Sequence, residues 1–185
     1  MKEIRMHGRG GQGTVVAAEI LATAFLADGK YATSIPSFGQ ERRGAPVAAF
    51  IRLDTKPIRE RCRVYHPDIV VVLDKVLTES PSCYIGLKEH GTIILNHRGK
   101  DKRLSLPHLE TPELLATIDA TSISLQELGV PITNSCMLGA FARVTDIVQL
   151  DTLTSALEEF LEGHLLNKNR RCLQRGFDEV HIERV

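Results

Sequence analysis

The 185-residue chain reads as an α/β protein, a three-layer α/β/α sandwich around a mainly parallel, Rossmann-like central sheet. Three observations predict it. Short apolar runs bounded by turn residues alternate with helical patterns. Ile69 to Leu73 is apolar at every position, as in a parallel strand covered on both faces. A glycine-rich stretch, Gly8-Arg9-Gly10-Gly11-Gln12-Gly13, joins the first strand pattern to an apolar helix. With 43% hydrophobic residues the chain supports one core, and residues 1–185 are read as a single domain.

In chain order, the first strand is expected over Glu3 to His7, followed by the glycine loop and a helix from Thr14 to Leu26. Only Glu19 and Thr23 interrupt that helix's apolar surface, which predicts deep burial. Asp28-Gly29-Lys30 ends it, with Gly29 suited to a left-handed cap. Further strands are expected at Tyr31 to Ile35, Val47 to Leu53, Ile69 to Leu73, Thr92 to Asn96 and Thr117 to Ala120. The first strand, first helix and second strand should form a right-handed βαβ unit. Ile69 to Leu73 marks the middle of the sheet, and Asp74 behind it reads as a helix cap in preference to a site residue at the carboxyl edge of the sheet. Arg98 to Pro112 is polar enough for a long surface loop. After residue 121 the pattern is helical. Leu153, Ala156, Leu157, Phe160 and Leu161 recur behind a capping candidate, Asp151, and a last helix spans His164 to Arg175, ended by Gly176.

The formal net charge is zero, which argues against bulk nucleic-acid binding. Yet residues 1 to 63 carry 11 Lys+Arg against 6 Asp+Glu, and the remainder 12 against 17. The basic N-terminal third suits an anionic ligand or an acidic partner surface as well as it suits a solvated face. Cys62, Cys83, Cys136 and Cys172 are too far apart for zinc or an iron–sulfur cluster and read as buried reduced thiols. The histidines show no metal-ligand spacing, and His7 reads as structural. No signal peptide is evident and no apolar run approaches the ~18 residues of a membrane span, so a cytoplasmic protein without a membrane partner is expected.

Gly8, Gly10 and Gly13 satisfy G-x-G-x-x-G, in which bare backbone and a helix N-terminus receive an anion. A dinucleotide site also needs an acid at the end of the second strand, about 20 residues on. Ser34, Ile35 and Pro36 stand there instead, which disfavours NAD and NADP, and no G-K-[ST] follows to make a Walker loop. The second dense segment is Ser37-Phe38-Gly39-Gln40-Glu41-Arg42-Arg43-Gly44-Ala45-Pro46. Arg42 and Arg43 offer forked donors to phosphate or carboxylate with Glu41 holding one of them, or else they bridge elements within a structural turn. Gln12 and Asn134 read equally as loop-internal hydrogen bonders and as ligand contacts.

Together these segments resemble the gamma subunit of the 2-oxoacid:ferredoxin oxidoreductase family, the pyruvate synthase or pyruvate ferredoxin oxidoreductase type. The resemblance rests on the glycine loop with Ala17 to Ala22, on Phe38-Gly39 and on Glu41-Arg42-Arg43-Gly44-Ala45-Pro46-Val47. Asn134 with Leu138-Gly139, and Lys168-Asn169 with Gly176-Phe177, extend it over essentially the full chain. Thr14-Val15-Val16 stands where family sequences commonly carry Val-Val-Thr.

The resemblance implies one subunit of a complex that converts a 2-oxoacid and coenzyme A into acyl-CoA, carbon dioxide and reduced ferredoxin, or runs the reverse. It implies alpha, beta and delta-type (ferredoxin-like) partner subunits that carry thiamine diphosphate, magnesium and the iron–sulfur clusters, with no cofactor bound by this chain alone. The Gly-Asp-Gly diphosphate signature is missing from this sequence, in agreement. The binding candidates, expected to receive coenzyme A phosphates or to order residues that face the thiamine site, are Gly8, Arg9, Gly10, Gly11, Gln12, Gly13, Phe38, Gly39, Glu41, Arg42, Arg43, Gly44 and Asn134. No catalytic residue or metal ligand is expected, and the isolated chain should be inactive. The competing reading is a stand-alone nucleotide- or flavin-dependent oxidoreductase. Which 2-oxoacid is used is not legible in these residues.

Overall fold

The computed structural model describes residues 1–38, 44–98 and 112–184, and of Phe38 the backbone only. The alternation Ile4-Arg5-Met6-His7 builds β1 (Lys2–Arg9), two residues longer at its end than the sequence pattern predicts. With β2 (Tyr31–Phe38), β3 (Pro46–Asp54), β4 (Ile69–Val72), β5 (Thr92–Asn96), β6 (Leu114–Ile118) and β7 (His181–Arg184) it forms one sheet, in the order β2-β3-β1-β4-β5-β6-β7. β1, β4, β5 and β6 pair in parallel, while β3 and β7 run against their neighbours. The uniformly apolar β4 is buried at every position and holds the centre, as its composition predicts.

The expected βαβ unit is split. β1 and β2 point the same way, but β3 returns antiparallel from β2 and takes the place beside β1. Ala49, Ile51 and Leu53 give β3 a face that gains from full burial. β2 carries Ser34, Pro36 and Ser37 and sits at the edge, where a proline lacking its N–H is tolerated.

Among the described residues five helices, α1 (Thr14–Ala27), α2 (Ala120–Leu128), α3 (Asn134–Thr145), α4 (Leu150–Ala156) and α5 (Gly163–Glu179), contribute to one core cluster with Ile4, Met6, Ile51, Val71 and Ile94. The opposite sheet face, built from Val70, Val72, Ile93 and Leu95, is covered by Cys83 and Tyr84 of a stretch holding two short 3-10 turns, Leu77–Glu79 and Pro81–Cys83. The two outer layers are therefore unequal. α1 buries Ala17, Ala18, Ile20, Leu21, Ala24 and Phe25, yet Val16 and Leu26 are exposed beside Glu19.

Several boundaries differ from expectation for identifiable reasons. Asp119 ends β6 and accepts the Ser122 N–H, so α2 begins at Ala120, where a strand was expected to end. Asp151 lies within the first turn of α4, where it complements the helix dipole, and Gln149 occupies the cap. Gly176 does not end α5 but sits inside it. A Cβ there would lie 1.9 Å from the Cys136 carbonyl oxygen, and one at Gly139 would lie 1.9 Å from that of Leu173. Two bare backbones thus let α3 and α5 cross in contact, and Ser135 Oγ donates to Asn169 Oδ1 (2.8 Å) across the same buried seam. β7, which the sequence pattern did not suggest, adds an exposed antiparallel edge to β6. Most of the expected loop from Arg98 to Pro112 lies outside the described residues.

Cys83, Cys136 and Cys172 are buried free thiols, and burial pushes those of Cys83 and Cys172 up to about 11. Cys62 departs from expectation and is exposed. The odd residues of β1 face the thin layer. Arg5, 7% exposed, donates from Nη2 to the carbonyl oxygens of Cys83 (3.0 Å) and Ile85 (2.6 Å), which fastens that layer to the sheet. His7 follows on the same face. Burial, then the Arg5 charge, pushes its imidazole down to about 4, against an opposing backbone hydrogen bond at Cys83.

Replacing Gly139 or Gly176 by Ala should destabilise the chain by about 3 kcal/mol, because backbone rather than a flexible side chain must move; equilibrium urea unfolding measures it. His7 predicts an acid weakness. Its folded value near 4 lies below the unfolded ~6.5, so the unfolded chain binds more protons in between. The contribution of neutral His7 is whole above about pH 6.5 and is lost as pH falls toward 4, up to about 3 kcal/mol in all. His7→Gln should lose correspondingly less stability than the native chain between pH 7 and pH 4.5 in the same unfolding measurement.

Candidate functional site

The carboxyl ends of β1 and β4 and the N-terminus of α3 meet at the glycine loop, at the sheet edge where open α/β folds place their sites. Because β1 extends through Gly8 and Arg9, the turn itself is Gly10 to Gly13. Gly8 is required by contact. A Cβ there would fall 2.0 Å from Thr14 Oγ1, so the hydroxyl of the first residue of α1 packs against the strand where a larger residue would force it to turn away. Gly13 is required by conformation as well, at φ 77°, and a Cβ on it would lie 2.6 Å from Asn134 Nδ2.

The loop is tied down by its own polar groups. Arg9 N–H donates to Gln12 Oε1 (2.8 Å), Gln12 N–H donates to the Arg9 carbonyl (3.1 Å) and Gly10 N–H donates to that of Ala45 (3.0 Å). Three donors are thereby spent inside the protein. α1 starts from Gly13 without a side-chain cap, so the amides of its first turn and its positive dipole end stay turned to the loop.

Asp74, 8% exposed, is the hub. One oxygen accepts the N–H groups of Val76 (2.9 Å) and Leu77 (3.2 Å), the capping role read from sequence. The other accepts Gln12 Nε2 at 2.7 Å, and Arg9 Nε stands 3.4 Å from Oδ1 as an ion pair. The second role is the site-residue alternative that the sequence reading ranked below the cap. Asn96 and Thr133 were missed. Asn96 Nδ2 (2.8 Å) and Thr133 Oγ1 (3.2 Å) both donate to the Leu73 carbonyl, the acceptor left where β4 ends.

Asn134 opens α3 at 7% exposure, and its Oδ1 accepts the Ser135 N–H (2.9 Å). Phe38 closes β2 opposite Val47, Gly44 is exposed at φ 88°, and Ala45 makes the bond to Gly10. The structure thus joins Gly8 to Gly13 with Asn134 and with the end of the β2–β3 connection. Gly39, Glu41, Arg42 and Arg43 lie outside the described residues.

The assembled groups are amides, carbonyls and an internally neutralised ion pair, suited to holding and orienting rather than to bond making. Among the described residues no group of His, Cys, Asp and Glu is arranged to hold a metal ion, and no helix is long and apolar enough to cross a membrane. The sheet order also bears on a nucleotide reading. A dinucleotide site takes its ribose acid from the strand beside β1, and here β3 intervenes before β2.

A family model described as pyruvate ferredoxin/flavodoxin oxidoreductase matches residues 3–179. The chain is 47% identical, over 186 residues and 100% of both proteins, to the common gamma subunit of pyruvate/ketoisovalerate oxidoreductases from Pyrococcus abyssi. It is 47% identical over 185 residues to pyruvate synthase subunit PorC from Methanothermobacter thermautotrophicus, covering 100% of this chain and 99% of that one. Its fold is similar to the crystal structure of pyruvate oxidoreductase subunit PORC from Thermotoga maritima, with a TM-score of 0.87 and 37% identity over 98% of each chain. Sequence and fold agree along nearly the whole length, and the chain belongs to the pyruvate ferredoxin/flavodoxin oxidoreductase family as a gamma subunit.

Proposed function

We propose that this gamma subunit works in a thiamine diphosphate-dependent complex that turns a 2-oxoacid and coenzyme A into acyl-CoA, carbon dioxide and reduced ferredoxin, or the reverse. Its own part is to shape the coenzyme A side of the site, while alpha, beta and delta-type subunits carry thiamine diphosphate, magnesium and the clusters. The observation that carries this is the glycine loop, clamped to β4 through Gln12 and Asp74 and to the β2–β3 connection through Gly10 and Ala45. A loop held on both sides is preorganised to receive an anion such as a phosphate without an ordering cost on binding. The donor chemistry fits a cluster poorly here. Three thiols are buried in the core and the fourth is exposed elsewhere, which supports assigning iron–sulfur chemistry to companion chains. The Pyrococcus relative is named as common to pyruvate and ketoisovalerate enzymes, which fits a subunit that does not select the oxoacid.

In the intact complex, Arg42→Ala/Arg43→Ala should raise the KM for coenzyme A about tenfold, roughly the loss of one charge-assisted contact, while assembly and kcat hold. An unchanged KM would refute the contact. Asp74→Asn keeps one oxygen and places its amide donor against either Gln12 Nε2 or the N–H groups of Val76 and Leu77. It should cost the isolated chain about 3 kcal/mol in urea unfolding and raise the same KM, whereas a Lys75→Ala control on the exposed neighbour should change neither.

A further inference from the structure

Among the described residues, the three most exposed large apolar side chains are Ile85 (69%), Tyr65 (67%) and Val76 (64%), and all belong to segments on or beside the thin layer. Two of them share a built platform. Gly86, at φ 79°, lies so close to Tyr65 that a Cβ would meet the Tyr65 carbonyl oxygen at 2.1 Å, and Lys88 N–H donates to the Pro67 carbonyl (3.0 Å). The backbones carrying Tyr65 and Ile85 therefore touch.

The stretch leading to Tyr65 has no regular secondary structure from Pro57 to Val64, yet it is pinned in place. Arg52, 3% exposed and held by Glu3 Oε1 at 3.0 Å, donates to the carbonyl oxygens of Cys62 (2.7 Å) and Arg63 (3.2 Å), and Val64 is buried beneath. On that fixed backbone Arg59, Arg61 and Arg63 stand exposed at alternate positions, and among the described residues none of their guanidinium groups is ion-paired with a carboxylate, although the Arg59 N–H donates to Glu60. The only acid between Lys56 and His66 is Glu60.

Exposed tyrosine, isoleucine and arginine on an ordered backbone have the composition of an interface centre with a charged rim. We infer that Arg59, Arg61 and Arg63 around Tyr65 and Ile85 form the docking surface for an acidic face with an apolar centre on a companion subunit of the same oxidoreductase complex. The inference rests on the subunit reading above. A second copy of this chain is a competing occupant that the test below separates; among its acidic groups beyond residue 112, Glu127 is paired with Arg171 and Arg175, Glu179 with Arg175, Glu158 with Arg170 and Asp119 with Arg98. Nucleic acid is disfavoured by the zero net charge.

The test titrates the purified chain onto the remaining co-expressed subunits of the complex at rising salt. The native Kd should weaken at least about tenfold between 50 and 300 mM salt, as screening of exposed pairs requires. Arg59→Glu/Arg61→Glu/Arg63→Glu should weaken binding about a hundredfold and flatten that dependence, while Tyr65→Ser/Ile85→Ser weakens it comparably and keeps the salt slope. Circular dichroism of each variant checks its fold, and if either fails to fold, the native salt titration and the other variant decide. Triple-variant affinity equal to native, a salt-independent native Kd, or binding only to nucleic acid or to a second copy overturns the docking surface and leaves the subunit reading intact. Failure of the native chain to bind the other subunits at any salt overturns both.

Discussion

β1 is the strand on which both halves of this molecule depend. It pairs antiparallel with β3 on one side and in parallel with β4 on the other, so it joins a two-stranded antiparallel wing to the parallel part of the sheet. Its side-chain alternation also fixes the two layers. Ile4, Met6 and Gly8 face the helices, while Arg5, His7 and Arg9 face the thin layer, where Arg5 holds the stretch around Cys83 by its carbonyls. Sliding β1 by one residue would turn three basic side chains into the helical core, so its register is strongly specified.

The end of the same strand prepares the site. Gly8 admits Thr14, Arg9 reaches Asp74, and the loop between is closed by bonds its own residues make. Asp74 joins loop, central strand and following turn through a carboxylate removed from water, an arrangement that is stable only while its acceptor positions are filled. The corner is thereby ordered by bonds internal to the chain. The crossing of α3 and α5 through Gly139 and Gly176 sets Asn134, the first residue of α3, against Gly13, which couples helix packing to the geometry of the loop.

Charge is distributed to the same end. Arginines within the fold, Arg5 and Arg52, grip backbone carbonyls and hold irregular segments to the sheet. Those outside it, Arg59, Arg61 and Arg63, are displayed on the segment that Arg52 pins. The basic excess of the N-terminal third is thus partly structural and partly surface.

What the amino-acid order settled by itself was whatever short-range pattern controls. This covers the α/β class, the apolar β4 at the centre, the start of α1 behind the glycines, β5 to the residue, and the two segments that carry the family likeness. Periodicity and turn chemistry act over a few residues, and those features need nothing more. The placing of β3 between β1 and β2, the addition of β7, the passage of α5 through Gly176 and the joining of Gln12 to Asp74 were decided by the tertiary structure. Each depends on a partner far away in the chain: a glycine reads as a helix end until another helix is seen against it, and an aspartate reads as a local cap until a distant amide fills its second oxygen.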